Sequence, residues 1–459
     1  MPFADFAPPF KRVGRDLPPC APLPAVLQTI ACRLRPITYL EHCWVRYGSR
    51  FTVFPVDMDP LVFLSDPDDI RALYAAPATV LCSGSGGEVV APLFGESAFM
   101  LCDGDEHIHG RSAVAPVFRR GAIDQHEPMV QRLLEDEVAS WPVGEAFALH
   151  PSLRALTLRI ALEAFVGGCE GFDELHKALM RLLAVMASLV LQEPRLRHLP
   201  GWRKTWTQLI RQRRTVDRLI FELTALRRVQ GDRQDLLGRL LAARNQDGSP
   251  LSDRQIRDNL VSVLIAGHET TAAELAWGFQ LLAHNPAVQD RLAQEIATGC
   301  GDDYLTATIH EILRHRPVFL FSAPREVVQP IEIGGWTYGP GVRLLACNYL
   351  LQHDPALHPG PGEFRPERFL GGSPAARTWL PWGGGRKRCL GQGLAMLELR
   401  SVLRFVLARW SVLPVAAQIE HPRWRTVLVA PHAGCRVVLR ARHKSSRGLP
   451  AGALAGATV

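Results

Sequence analysis

Apolar positions recur at helical spacing over long stretches of the chain and at strand spacing only in short ones. From Ile123 to about Ala242 the helical pattern is broken only at Pro142, Gly167–Gly171 and Pro194–Gly201, which predicts a succession of helices. A further periodic stretch opens with Ser252-x-x-Gln255, a capping-box pattern, and continues to His284, where Asn285-Pro286 ends it. At 1.5 Å per residue such a helix is about 48 Å long, enough to cross the molecule. Shorter helices are predicted over Ile37–Tyr47 (ending at Gly48), Asp66–Tyr74, and from Leu394 to about Trp410. β-prone runs at Arg50–Val56 and Leu61–Ser65 predict a hairpin; Ile331–Val342 predicts turns and strands around Gly334-Gly335, and Arg425–Leu439 strands turning at Pro431–Gly434. Residues 1 to 36 are Pro-rich and expected to run extended over the surface. Leu81–Phe99 has no steady period and predicts a long loop, and the tail from His443 to Val459 is expected to be flexible. The class is mostly α with small β-sheets.

Composition narrows the possibilities. With 459 residues, 47% of them hydrophobic, the chain buries a large core and is neither disordered nor fibrous. Length alone suggests about three domains. A formal charge of +7 and a pI near 9.0 admit nucleic acid, membrane headgroups or an acidic protein as partners. No dense Lys/Arg tract is interleaved with aromatics, so nucleic acid is set aside. The ten cysteines form no C-x-x-C pair, which argues against a disulfide framework or structural zinc and fits a reducing cytoplasm. Met1–Pro24 lacks the charged start and apolar core of an export signal, and no later run reaches the roughly 18 apolar residues of a spanning helix. Leu182–Leu191 is nearly all apolar and is followed by Arg195, Arg197, Arg203, Lys204, Arg211, Arg213 and Arg214. Two readings stay open for this region: a core helix followed by a solvated one, or a pocket lid that attracts an acidic substrate or a lipid surface, with peripheral membrane contact.

The candidate chemistry centres on Pro381–Gly393, where three consecutive glycines precede Cys389 and an apolar helix follows. Glycines permit tight turns and close approach to a flat ligand. Unpaired N–H groups, the helix dipole and the neighbouring Arg386, Lys387 and Arg388 all favour a thiolate at Cys389, and a thiolate binds iron. Inside the long helix lies Ala266-Gly267-His268-Glu269-Thr270-Thr271. An interior glycine costs about 1 kcal/mol relative to alanine, so Gly267 suggests room for a ligand against the backbone. A threonine there lets helix carbonyls accept water or a hydroxyl, and an adjacent carboxylate can relay protons. A zinc-protease His-Glu-x-x-His reading fails because position 272 is Ala272. His107 and Arg111 share a helical face, Glu311 and Arg314 are three apart, and Arg368 in Pro366-Glu367-Arg368-Phe369 precedes Cys389 by 21 positions.

These blocks, in this order, resemble the cytochrome P450 family over residues of about 40 to 440. The family's haem loop, Phe-x-x-Gly-x-Arg-x-Cys-x-Gly, is matched by Trp382, Gly385, Lys387, Cys389 and Gly391, with Trp in place of Phe and Lys in place of Arg. Lys loses the bidentate fork of Arg. The resemblance implies a single catalytic domain over residues 37–442 with the P450 fold. It implies haem b with Cys389 as axial ligand to the iron, and His107, Arg111, Arg325 and Lys387 at the haem propionates. Trp382 would shield the sulfur, Glu311, Arg314 and Arg368 would brace its loop, and Glu269 and Thr270 would organise proton delivery to bound dioxygen. Residues 81–99 would form the variable loop over the pocket. The implied activity is haem-thiolate monooxygenation, by hydroxylation or epoxidation. Electrons would come from a separate ferredoxin or flavodoxin with its reductase, docked at the basic loop Arg386–Arg388. Ala266, Val318, Leu320 and Phe321 suggest a hydrophobic substrate such as a fatty acid, terpenoid, sterol or polyketide. Alternatives are a P450-fold peroxygenase, isomerase or dehydratase, against which the presence of Glu269 and Thr270 argues, a non-catalytic haem sensor, or a structural protein without haem.

Overall fold

The capping box predicted at Ser252 forms: the Ser252 hydroxyl accepts from Gln255 N, and Ser252 N donates to Gln255 Oε1 at 2.9 Å. The helix it starts runs from Asp253 to His284. Most of its residues from Ile256 to Ala283 are buried, so it is the spine of the molecule rather than an amphipathic surface helix. The computed structural model describes residues 17–56, 58–82, 90–168, 171–186, 200–231, 234–299 and 301–442.

In chain order the helices are α1 (Ala25–Leu34), α2 (Pro36–Tyr47), α3 (Pro67–Ala75), α4 (Ala91–Phe94), α5 (Gly104–Val114), α6 (Arg120–Asp124), α7 (Glu127–Val138) and α8 (His150–Val166). They continue with α9 (Phe172–Met186), α10 (Pro200–Gln230), α11 (Leu236–Ala242), the spine α12, α13 (Pro286–Thr298), α14 (Asp303–His315), α15 (Asn348–His353) and α16 (Gln392–Leu407). The strands are β1 (Arg50–Val53), β2 (Leu61–Leu64), β3 (Leu81–Cys82), β4 (Ala146–Ala148), β5 (Arg325–Val327), β6 (Ile331–Ile333), β7 (Trp336–Tyr338) and β8 (Arg343–Ala346). The last four are β9 (Trp410–Pro414), β10 (Pro422–Arg425), β11 (Leu428–Pro431) and β12 (Arg436–Ala441).

The main core gathers α7, α8, α11, α12, α14 and α16, with α12 packed most extensively on α8. A five-stranded sheet, ordered β1-β2-β8-β5-β3, carries the N-terminal part of the chain, and its β2–β8 pair is parallel, with Phe63 opposite Leu345. β4, β12 and β9 form a second sheet, while β6–β7 and β10–β11 are separate hairpins. Gly334 and Gly335 turn the first hairpin at φ +61° and +77°, backbone that side chains avoid.

Several expectations change. Pro24 stops the extended N-terminal run and starts α1, whose Gln28 is buried and donates to Leu23 O at 2.8 Å. The loop expected at 81–99 contains β3 and α4, and residues 83–89 lie outside the described ones. The post-cysteine helix ends at Leu407, because Trp410 already belongs to β9. Arg425 ends a strand rather than beginning one, and the turn that follows places Thr426 at φ +59° with no glycine or asparagine to announce it. Arg195, Arg197 and the expected flexible tail from His443 lie outside the described residues. Of the basic residues on α10, Arg203, Lys204, Arg211 and Arg214 are exposed, whereas Arg213 turns inward and donates to Pro92 O at 2.6 Å. No helix among the described residues is long and apolar enough to cross a membrane.

The spine also carries a buried acid. Glu274 is 3% exposed and neither carboxyl oxygen has a well-formed partner. Burial pushes its pKa well above the usual carboxylate range, and the Val318 N–H offsets little of this. A raised folded-state pKa means that stability is lost as pH climbs above the ordinary carboxylate value of about 4.3. Glu274→Leu is therefore expected to stabilise the protein by about 1–3 kcal/mol at pH 8, and by less at pH 4. Denaturant unfolding followed by circular dichroism at the two pH values measures this; equal stabilities of parent and variant at both would contradict it.

Candidate functional site

The glycine run before Cys389 is shaped by protein rather than by ligand alone. Gly383 and Gly385 sit at φ +65° and +64°, and a Cβ on Gly384 would lie 2.5 Å from the Tyr74 ring of α3. The loop closes when Cys389 N donates to Trp382 O at 2.9 Å, and α16 follows three residues later. Cys389 keeps solvent-accessible surface although protein atoms crowd around it. Burial raises its thiol pKa; the Gly391 and Gln392 N–H groups, Arg111 and Arg388 pull the other way. The helix N-terminus and one loop cation thus act as the sequence suggests, joined by an arginine from α5, but burial outweighs them in the protein alone.

Around the cysteine loop the structure collects basic side chains from distant segments. His107 and Arg111 lie on α5: the His107 Nδ1–H donates to Phe99 O at 2.9 Å, while its buried Nε2 makes no well-formed hydrogen bond, with the Arg386 backbone nearby. Burial lowers the His107 pKa. Arg111 Nη2 donates to Arg388 O at 2.8 Å, tying α5 to the cysteine loop. Arg325 starts β5 and lies over the Tyr74 ring, 5.4 Å from its centroid. Lys387, expected free for a propionate, is instead held by Cys102 O and by Asp103 Oδ1 at 3.1 Å. An orphaned imidazole nitrogen, two arginines and an accessible thiol fit the acidic propionates and the iron of haem. Cys389 would hold the metal, and His107, Arg111 and Arg325 the carboxylates.

The brace residues interlock. Arg314 donates from Nε to Glu311 Oε2 at 2.7 Å and from Nη2 to Oε1 at 2.9 Å, and both side chains are fully buried. Arg368 Nε reaches the same carboxylate at 3.0 Å, and Arg365 N donates to it at 2.9 Å. The spacing of Glu311 and Arg314 alone is that of any helix ion pair; the brace is what the family resemblance implies. Arg314 also donates to Gln352 O at 2.9 Å, and Gln352 Oε1 accepts from Leu380 N at 3.0 Å, immediately before the cysteine loop.

In α12 the carbonyls around Gly267 take side-chain donors: Thr270 Oγ1 bonds Ala266 O at 2.9 Å, and Thr157 Oγ1 from α8 bonds His268 O at 3.1 Å. The nearest protein atom to a Cβ on Gly267 would be 3.7 Å away, so protein packing does not require the glycine. Glu269, expected as a free proton relay, is clamped. Arg154 Nε lies 2.7 Å from Oε2, Arg425 Nε 3.0 Å from Oε1, and His268 Nε2 3.2 Å from Oε2. Burial pushes this carboxyl up, but His268 and the two arginines outweigh it and hold the group well below the usual range. Arg154 and Arg425 escaped the sequence reading. Arg154 left a trace, a lone cation between Leu153 and Leu156 in an apolar helix; Arg425 left none.

Of the expected pocket residues, Ala266 and Val318 keep accessible surface. Leu320 does not belong there: it is 1% exposed and packs with Tyr39, Leu40, Phe63 and Leu345 in the N-terminal core, because its carbonyl pairs with Tyr349 N. Phe321 stacks edge-on against Phe63 with centroids 5.2 Å apart. Phe319, which the sequence did not single out, lies beside Val318 against Ala273, Leu428 and Ala430.

Comparison with known proteins shows the family and the fold. The family model for cytochrome P450 matches residues 18–434. A Mycobacterium tuberculosis chain with the provisional name cytochrome P450 135B1 is 33% identical over 93% of this chain and 92% of its own length. Another from that organism, provisionally cytochrome P450 137, is 33% identical over 86% and 84%. Among solved structures, the cyanobacterial CYP120A1 with retinoic acid bound superposes with a TM-score of 0.80 at 23% identity, covering 93% of this chain and 99% of that one. The haem domain of cytochrome P450DA gives 0.79 at 19%, covering 93% and 98%. The chain belongs to the cytochrome P450 family and is a haem b-binding monooxygenase, an oxidoreductase with the mostly helical P450 fold.

Proposed function

We propose that this protein inserts one oxygen atom from O2 into a hydrophobic organic molecule, by hydroxylation or epoxidation, with electrons from a separate ferredoxin or flavodoxin and its reductase, and that it works in the cytoplasm. The observation that carries this reading is Cys389, exposed in its glycine loop, with Arg111 bonded to that loop at Arg388 O, His107 beside the Arg386 backbone, and Arg325 over the Tyr74 ring against which the loop packs. Haem b supplies the activation of dioxygen when bound there. The protein's residues hold, orient and shield it. Cys389 would ligate the metal and Arg111 and Arg325 would meet the propionates, with His107 joining them once its Nε2 carries a proton, which the added carboxylates favour. Lys387 contributes indirectly, fastening the cysteine loop to the α5 entry through Asp103 and Cys102 O. Trp382 covers the loop and accepts the Cys389 N–H through its carbonyl, and Gly385 and Gly391 keep the backbone close. Glu311, Arg314 and Arg368 keep the loop in register.

Thr270 and the opened carbonyls of α12 give water a place to sit, with Glu269 behind them. Ala266, Val318 and Phe319 present apolar surface, which suits a hydrophobic substrate. Arg386 and Arg388 are exposed beside Cys389, and Arg119 and Arg120 are exposed just after α5, a positive face suited to an acidic electron carrier. The presence of Glu269 and Thr270 favours oxygen insertion over the peroxide-using, isomerising or dehydrating alternatives.

Two measurements test this reading. Reduced holoprotein under carbon monoxide is expected to show the red-shifted Soret band of thiolate ligation, and Cys389→Ala to lose it; a band that survives the substitution would overturn the assignment. Glu311→Gln removes one partner of a buried pair and leaves the arginines uncompensated, a cost of about 3–5 kcal/mol. It is expected to yield protein with little bound haem, measured as the ratio of Soret to protein absorbance. Full haem occupancy in that variant would separate the brace from cofactor binding.

A further inference from the structure

Asp103 stands at the N-cap of α5 with the extended backbone of a cap residue (φ −123°, ψ 174°), yet its carboxylate makes no capping bond. Aspartate is among the side chains that fill this role best, and a cap is worth about 1 kcal/mol. The carboxylate turns instead to other segments. Lys387 Nζ of the cysteine loop lies 3.1 Å from Oδ1, and the Cys82 thiol of β3 donates to Oδ2 at 2.9 Å. Lys387 is 21% exposed and Asp103 20%, so water screens this pair less than one on the open surface. Lys387 also donates to Cys102 O, which fixes its ammonium beside the start of α5.

This carboxylate belongs to the neighbourhood of the groups proposed for the propionates. β3 pairs with β5 so that Cys82 is opposite Glu326, next to Arg325 in the chain. Burial lowers the Arg325 pKa, and Tyr74 and Asp103 each offset part of this, so Asp103 is within electrostatic reach of Arg325 as well. His107 and Arg111 follow Asp103 on α5, about one and two turns further along. Asp105 and Glu106 share the first turn, but both are exposed and their charges are screened by water. The permanent cations Arg111, Arg325 and Lys387 number three, and haem brings two carboxylates. Asp103 supplies the third negative charge. Lysine in the place of the family's arginine matters here: an arginine fork could serve Asp103 and a propionate together, whereas an ammonium is a compact point charge that one carboxylate can take.

Reducing the iron adds an electron beside the Cys389 thiolate and two propionates, so a nearby cation favours the step and a nearby anion opposes it. Resting on the haem-thiolate reading above, we propose that Asp103 sets the electron affinity of the bound cofactor: by neutralising Lys387 among the propionate cations, it holds the ferric–ferrous potential below the value that those cations would otherwise give. Asp103 is a positioning residue that acts through Lys387. Because the pair joins β3, α5 and the cysteine loop, both charges stay at a set place relative to Cys389. The consequence is selectivity for the electron donor, since a lower potential asks for a more strongly reducing carrier.

The test is a spectroelectrochemical titration of purified, substrate-free holoenzyme, in which the visible spectrum reports the ferric and ferrous fractions. Asp103→Asn is expected to favour the ferrous state about tenfold, a rise of about 59 mV for one electron. Lys387→Gln is expected to lower the potential by a similar factor, and the double variant to return close to the parent, because the two charges leave together. Asp103→Glu keeps the charge and is expected to keep the parent potential. A pair that served only as a tether would shift both single variants the same way and the double variant no less. Shifts of one sign in the two single variants, or no shift in either, would overturn the proposal while the thiolate carbon monoxide band of the parent stands. If one single variant fails to bind haem, the sign in the other decides: a potential that does not rise in Asp103→Asn, or does not fall in Lys387→Gln, is enough to reject it. Absence of the carbon monoxide band in the parent would instead remove the haem-thiolate reading on which it rests.

Discussion

Glu311 is the constraint on which the rest of the site depends. A fully buried carboxylate is costly unless every lone pair is used, and here Arg314, Arg368 and the Arg365 N–H use them. Because those partners come from α14 and from the irregular chain between β8 and the cysteine loop, the carboxylate joins segments that have no regular secondary structure to align them. The alignment reaches the loop itself by two routes. Gln352, held by Arg314, receives Leu380 N, and Trp379 Nε1 donates to His310 O on α14 at 3.1 Å. A single-residue metal ligand needs a rigid mount, and this network makes a stretch of turns rigid.

Carboxylates along this fold take different fates from the same physics. Glu311 is satisfied by Arg314, Arg368 and the Arg365 N–H. Glu269 is ionised because two arginines and His268 outweigh its burial. Glu274 and Glu398 are buried without well-formed partners, and burial pushes both well above the usual carboxylate range. The difference lies wholly in what other segments bring to each side chain. Glu269 and Glu274 are five residues apart on one helix, yet only the first meets cations, because α8 and the β10–β11 hairpin converge there.

Solved structures at 19% and 23% identity superpose over nearly the whole chain, so the fold persists through wide change in sequence.

By itself the sequence determined the elements whose signals are local. The capping box set the start of α12 at Ser252, Asn285-Pro286 set its end, Gly334-Gly335 set a hairpin turn, and the spacing from Arg314 through Arg368 to Cys389 identified the site. Those features rest on backbone geometry and on neighbours within a few residues, which a linear pattern records. Tertiary structure alone decided that the glycines before Cys389 make room for Tyr74, that Leu320 faces the N-terminal core, that Lys387 is bound to Asp103, and that Glu269 lies between Arg154 and Arg425. Each depends on a partner dozens to hundreds of residues away. The charge state and direction of a side chain follow from the atoms that surround it, and no periodicity along the chain encodes which distant segment supplies them.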